Sequence, residues 1–471
     1  MKKNTNNKVT TLPVSKFIDT KFREYSLYVL KSRGIPSFYD ALTPVQRYIL
    51  MNSPSSFSKT LSVVGKSIED GYSHGNVSLQ KAISKLARPF GSAFQMLYGY
   101  GFFGTEVSPE PAAPRYTSVK INNHVNDILK QYSYLTEKSE EGGYDPFWVD
   151  LPIGLCTTIV GISVGYKATT LPRKLNDIKR YLNGEIKHVK PYFMDYSGKI
   201  SRHKSLNNSW LLDSNINIEK NKIFIKEIPP ILKYNTVLKR LDWLFRKFES
   251  KIRVINNSNT KVDITIVYSG RNVQEWDEIQ TYVKKIFSII VTEKPIFIKD
   301  DQVLVYDTVE EYLDDYKWQI LRLRYYNLLY ERKYLKNELR FNEVKKNFIT
   351  FILQKRRQVA EIDKFLNPFD KDLQKRLERM TAKMFTKDEL SQVRNKINGL
   401  KKELRVKERN LKKSKKIYEK TKDPTAKRGI SSKKSLANLF DSDDVDEVNG
   451  IWVWDGEDVF DEKKKEIEDE E

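Results

Sequence analysis

An arginine and a tyrosine stand side by side at Arg115-Tyr116, behind two prolines and two alanines, in PAAPRYTSVKI (Pro111 to Ile121). A phenol of pKa about 10 is ionised to roughly one part in a thousand at neutral pH. A tyrosine that acts as a nucleophile therefore needs positive charge or a metal nearby, both to develop phenolate and to steady a crowded phosphoryl transition state. Arg115 supplies one such charge locally, although in a chain with 26 tyrosines an ordinary Arg-Tyr pair is the competing reading. Further candidates lie on either side. Arg47 closes the stretch RGIPSFYDALTPVQR that begins at Arg33. His74 lies in a glycine turn, GYSHGN, just ahead of a helical pattern, where free helix amides cradle phosphate.

These groups need elements to hold them. After the turn at Gly71 to Asn76, Leu79, Ile83 and Leu86 recur at helical spacing and Pro89 ends the pattern, so a helix is expected. Lys81, Lys85 and Arg88 project from its other faces, either as a solvated basic side or as a polyanion contact. From Pro152 to Asp307 the texture changes to strands such as KIFIKEI (Lys222 to Ile228), VDITIVY (Val262 to Tyr268) and QVLVYD (Gln302 to Asp307). Helical stretches near Leu175 to Leu182 and Asn235 to Phe248 interrupt them, so an α/β region is expected. Two long amphipathic patterns follow. One runs through Val309, Leu313, Tyr316, Ile320 and Leu323, and the other through Leu390, Val393, Ile397, Leu400 and Leu404. The second opens on a Thr386-x-x-Glu389 capping box, and the two can pair antiparallel as a stalk with a small knob near 366–385.

The 471 residues are too many for one core, and the net charge of +21 hides an asymmetry. From Asp441 onward the chain holds 15 acids and three lysines, a net −12, so the residues before it carry +33. A body that basic points to nucleic acid as the leading partner. No apolar run of membrane-spanning length and no signal-peptide core is present, which argues for a cytoplasmic protein. One cysteine and four scattered histidines make neither an internal disulfide nor a structural zinc site. Ile451, Trp452, Val453, Trp454 and Phe460 make the otherwise disordered acidic end a candidate docking motif.

Five segments occur in a fixed order: RGIPSFYDALTPVQR, GYSHGNVSL, GYGFFGT, AAPRYT and VGISVG. In these the chain resembles type IIA DNA topoisomerases, specifically the DNA-breaking subunit of the gyrase type, in the short architecture of the medium subunit of T-even phage enzymes. The resemblance implies an α+β multidomain chain. It would consist of an N-terminal arm (1–24), a winged-helix cleavage domain (25–145), a tower domain (146–307), a coiled coil with a dimerising C-gate knob (308–425, knob about 355–388), and a basic linker with an acidic tail (426–471). It implies that Tyr116 attacks a DNA phosphodiester to leave a 5′-phosphotyrosine, with Arg115, Arg47 and His74 around the scissile phosphate. Ile162, inside GIS, would wedge between base pairs and bend the duplex. Arg33, Lys66, Lys81, Lys85, Arg88, Lys120 and Lys167 would line the DNA path.

This chain departs from the family pattern at several positions. Ala41 and Thr43 stand where a glycine and a lysine are usual, Asn76 where an acid is usual, and Phe102 where an amide is usual. Val77 and Lys81 replace a serine and an acid, from which a weak response to quinolone poisons is expected. The family's metal-binding E-G-D-S-A segment and ATPase glycine motif are not recognisable. Asp444-Val445-Asp446 matches a D-x-D only in its letters. Mg²⁺ and ATP are therefore expected on a partner subunit, with the chain itself a homodimer. The implied reactions are relaxation and decatenation, and two readings compete with them. One is a non-catalytic dimeric DNA-binding architectural protein. The other is a tyrosine recombinase, disfavoured because the tyrosine comes so early in the chain.

Overall fold

The computed structural model describes residues 13–135, 145–248, 251–300, 302–354, 359–427 and 453–454. Most of the acidic tail, including Asp444 to Asp446, Ile451, Trp452 and Phe460, lies outside the described residues. Two compact units are formed. One runs up to Lys317 and resumes at Pro424, and the other is Trp318–Asp423.

The first unit opens with a helical arm in which α1 (Val14–Phe17) and α2 (Arg23–Val29) are each followed by a wider π turn, the second being Leu30–Gly34. Helices α3 (Pro44–Asn52), α4 (Thr60–Glu69) and α5 (Asn76–Ala87) then pack together with a small antiparallel sheet. Its strands are β1 (Ser58–Lys59), β2 (Leu97–Tyr100) and β3 (Ser118–Ile121), in the order β1-β3-β2. Helix α6 (Asn123–Lys130) completes this layer, capped by the side chain of Asn122. The expected helical stripe is the buried one: Leu79, Ile83 and Leu86 join Leu42, Ile49, Met96, Leu97, Val119 and Val125 in one core. Each fully buried aliphatic side chain contributes about 1.5–3 kcal/mol.

The next stretch holds a hairpin, β4 (Ile159–Ser163) with β5 (Tyr166–Thr170), followed by α7 (Leu175–Leu182). Two four-stranded sheets follow. Strands β6 (Ile200–Arg202), β7 (Ser209–Leu212) and β12 (Ile289–Thr292) form three strands of one. Strands β8 (Asn215–Glu219), β9 (Lys222–Glu227), β10 (Ile252–Asn256) and β11 (Ile264–Tyr268) form the other. Helices α8 (Tyr234–Lys247) and α9 (Val273–Ile286) pack against this core through Val237, Leu244, Ile279 and Val283. Strands β13 (Ile296–Lys299) and β14 (Gln302–Val305) close the region. The expected α/β region is α+β in its pairing: among the described residues every ladder is antiparallel save one. The physical reason is short connections such as the two residues between β8 and β9, because parallel neighbours need a long crossover. The exception is β15 (Val453–Trp454), the fourth strand of the first sheet. It lies parallel to β12 at Ile290 and Val291, so part of the apolar tail motif pairs with this sheet.

A buried ion pair holds the region together. Arg173 reaches both oxygens of Glu293 at 2.7 Å, and Glu293 also accepts from the Leu171 amide and the Trp210 indole. With these donors in place the buried carboxylate is fully paired, which is the condition under which burying charge is tolerated.

Helix α10 (Val309–Gln354) starts in the first unit, where Tyr312 donates to the Phe38 carbonyl and Tyr316 to those of Tyr39 and Val149. In the second unit α10 and α13 (Lys387–Lys420) run antiparallel. Trp318 meets Thr421, Tyr325 stacks on Tyr418, and Lys407 and Lys345 pair with Glu331 and Glu389. Between them lie α11 (Val359–Leu366) and α12 (Lys371–Glu378), packed through Leu366, Leu373 and Leu377 onto Phe348 and Ile352. Thr386 caps α13 by accepting from the Glu389 amide, as its sequence position implied.

Candidate nucleic-acid interface

Tyr116 ends a tight turn, its amide bonded to the Ala113 carbonyl at 2.9 Å, immediately before β3. The turn is fastened to the first residues of α4. The Thr60 amide donates to the Thr117 carbonyl, the Leu61 amide to that of Pro114, and the buried Thr117 hydroxyl donates to the Thr60 hydroxyl at 2.8 Å. Orphan donors at a helix start are thereby used to hold a loop. Gly101 runs alongside with φ +105, and a Cβ there would come within 3.2 Å of the Tyr116 carbonyl. The backbone of the tyrosine is thus clamped from both sides while its side chain stays 65 % exposed. The Arg115 guanidinium sits 4.9 Å from the centre of the Tyr116 ring, a cation–π contact between sequence neighbours.

Arg47 departs from expectation. It is 6 % exposed, and its Nε and one amino group grip both carboxylate oxygens of Asp40 while the same amino group bonds the Leu42 carbonyl. Asp40 in turn accepts from the amides of Leu42 and Phe147. A guanidinium so engaged is a wall fastening α3 to the residues around 147, and no sequence pattern pointed to Asp40 as its partner. Thr43, in place of the usual lysine, caps α3 in a reciprocal box with Gln46. Ala41, in place of the usual glycine, takes φ +57.

His74 lies past the far end of α4 with its ring edge-on to Tyr72 at 5.5 Å, and Gly75 caps α5 without a side-chain bond. Because α4 spans about 15 Å, the structure places Tyr116 with Arg115 at one end and His74 at the other. Lys66 is exposed on α4, and Lys81 and Lys85 are exposed on α5. Arg88, at the end of α5, leans on Phe90 at 4.6 Å, and its Nε is buried with no hydrogen-bond partner among the described residues. Loss of solvent holds its guanidinium below the ordinary arginine value. Arg33 is the fourth residue of the π turn Leu30–Gly34, and its side chain lies outside the described residues.

Ile162 is on the open face of β4, 55 % exposed and beside exposed Val160, with Lys167 opposite it on β5. The hairpin is set by a glycine-to-glycine approach. A Cβ on Gly161 would lie 2.1 Å from the Gly34 carbonyl, and one on Gly34 would lie 2.6 Å from that of Ile162. Lys120, on β3, places its ammonium 4.9 Å from the Phe57 ring and 5.6 Å from that of Tyr98, a grouping the sequence did not announce. Among the described residues no three His, Cys, Asp or Glu side chains are grouped to hold a metal, and no helix is long and apolar enough to cross a membrane.

The fold is that of a DNA-cleaving type II topoisomerase core. It matches the solved DNA-binding, cleavage and re-ligation domain of Plasmodium falciparum topoisomerase II with a TM-score of 0.70 at 20 % identity, covering 86 % of this chain and 64 % of that one. The sequence of residues 33–424 matches the family formed by the A subunits of DNA gyrase and topoisomerase IV, and the chain belongs to that family. It is 27 % identical over 172 residues to the DNA topoisomerase medium subunit of Enterobacteria phage T4, a match covering 35 % of this chain and 39 % of the phage protein. It is likewise 27 % identical over 186 residues to the A subunit of Spiroplasma citri DNA gyrase, covering 36 % of this chain and 81 % of that sequence. The matched stretch thus spans about two fifths of the phage protein's length.

Proposed function

We propose that the chain is the DNA-breaking and rejoining subunit of a type IIA topoisomerase. The observation that carries this reading is the exposed Tyr116 phenol on a backbone-clamped turn beside Arg115, in a chain of the gyrase and topoisomerase IV family. The Tyr116 oxygen attacks a backbone phosphorus and gives up its proton. A P–O bond forms to tyrosine, the bond to the 3′ oxygen breaks, and that oxygen takes a proton to leave a 3′ hydroxyl opposite a 5′-phosphotyrosyl end. Rejoining is the reverse, with the bond energy conserved. Arg115 pairs with the phosphate charge in the transition state. His74, at the far end of α4, serves the DNA path or the site of a second copy. The α3 to α5 helices with the β1-β3-β2 sheet support a winged-helix reading, and the regions from β4 to β14 and from α10 to α13 support a tower and a dimerising stalk.

Two copies are needed to cut both strands, and two-fold pairing through the knob supplies them. Ile162 enters the stack from its exposed hairpin face, and Lys66, Lys81, Lys85, Arg88 and Lys167 neutralise phosphates. Mg²⁺ and ATP hydrolysis come from a partner subunit. Incubating the chain and a partner ATPase subunit with plasmid, then denaturing with detergent, tests this reading. Protein should be found covalently on 5′ ends with the native chain and not with Tyr116→Phe, while Tyr116→Phe still binds DNA. Equal covalent yield from both would refute it, and binding without any covalent product from either would favour an architectural DNA-binding role.

A further inference from the structure

The sheet whose strand β3 begins two residues after Tyr116 presents an aromatic face that the cleavage chemistry does not use. Strand β3 alternates, Val119 and Ile121 pointing into the core and Ser118 and Lys120 outward, and β2 turns Tyr98 and Tyr100 to the same outer side. Tyr98 lies opposite Lys120, and Tyr100 lies opposite Ser118, whose small side chain leaves the ring uncovered. Phe57, just ahead of β1, meets Tyr100 edge-on at 6.2 Å. Phe57, Tyr98 and Tyr100 are 50, 38 and 72 % exposed, and the Lys120 ammonium stands between the first two rings. Three exposed rings on one open sheet face, two of them flanking a cation, form the kind of surface patch that marks an interaction site.

The geometry points to this face as a stacking platform for unpaired bases at the broken DNA end. Ser118 and Lys120 follow Tyr116 by two and four residues on the same chain, so at most about 13 Å of backbone, four residues at full strand rise, separates its turn from the platform. Inside an intact duplex each base face is covered by its neighbours, and aromatic side chains have nothing to stack on. When the two cut ends move apart, the base at the new end loses its stacking neighbour, next to rings able to replace it. The ammonium of Lys120 and the exposed Lys59 on β1 supply charge for the phosphates between such bases. Platforms of this composition bind single strands with little sequence preference.

The inference rests on the DNA-cleaving reading, and the test separates the two. Full-length protein is titrated with a fluorescent oligothymidylate and with a blunt duplex of equal length, and covalent adduct formation on plasmid in the presence of the partner ATPase subunit is measured in parallel. Tyr98→Ala with Tyr100→Ala should weaken oligothymidylate binding about tenfold or more while duplex binding changes less than about twofold, and Tyr100→Trp should keep single-strand affinity. Lys120→Gln should flatten the salt dependence by about one unit of slope. Equal losses on both ligands, no loss on the single strand, or loss only of association with the partner ATPase would each overturn the platform. If adducts form and the single strand is indifferent to the substitutions, the platform alone falls. If the native chain binds neither ligand and forms no adduct, both readings fall.

Discussion

Two arginines near the start of the chain do opposite work. Arg115 stands in solvent against an exposed ring, on a turn held by backbone bonds to α4. Arg47 is buried and spends its donors on Asp40 and a carbonyl, fastening α3 to the residues near 147. The first keeps its charge in solvent, and the second uses its charge as structure. Charge in a candidate site is therefore available chemistry only where the surrounding fold leaves the donors unspent.

Substitutions sharpen that contrast. The largest effect on stability is expected from Asp40→Ala, which strands a buried guanidinium and two amides and should cost about 3–5 kcal/mol in urea unfolding. A loss below about 1 kcal/mol would show that Arg47 has another partner or reaches solvent. Arg115→Ala should leave the unfolding midpoint within about 0.5 kcal/mol but lower the rate of covalent adduct formation by about 10²–10³. If its effects resemble those of Asp40→Ala, the two arginines are not different in kind. Gly101→Ala pushes a Cβ against the Tyr116 carbonyl at a left-handed backbone position. It should cost about 1–2 kcal/mol and slow cleavage as well, because the turn moves with its buttress. The smallest change expected is at Ala41. Its φ of +57 costs about 1–2 kcal/mol, so Ala41→Gly should raise stability by up to about 1 kcal/mol after the flexibility of glycine is counted. A lower melting temperature would show that the left-handed turn is relaxed.

Much of the architecture was legible because local patterns survive folding. The stripe of Leu79, Ile83 and Leu86, the Thr386 cap and the strand at Lys222 to Glu227 all sit where spacing placed them. The antiparallel pairing of the middle region was not legible, since strand direction depends on connections and partners that alternation does not record. At the site, Arg115 and Tyr116 are sequence neighbours, and their proximity needed no folding to reveal it. Asp40 with Arg47, and Phe57 with Tyr98, Tyr100 and Lys120, are assembled across turns and strands, and no motif spells them.

Residue types, helical and strand periodicities, and the charge split between a basic body and an acidic end all follow from covalent order. Which cations are spent and which are exposed is settled by folding. Burial and hydrogen-bond satisfaction belong to neighbours brought together by packing, and packing at Arg47 took away the freedom that the same fold leaves to Arg115.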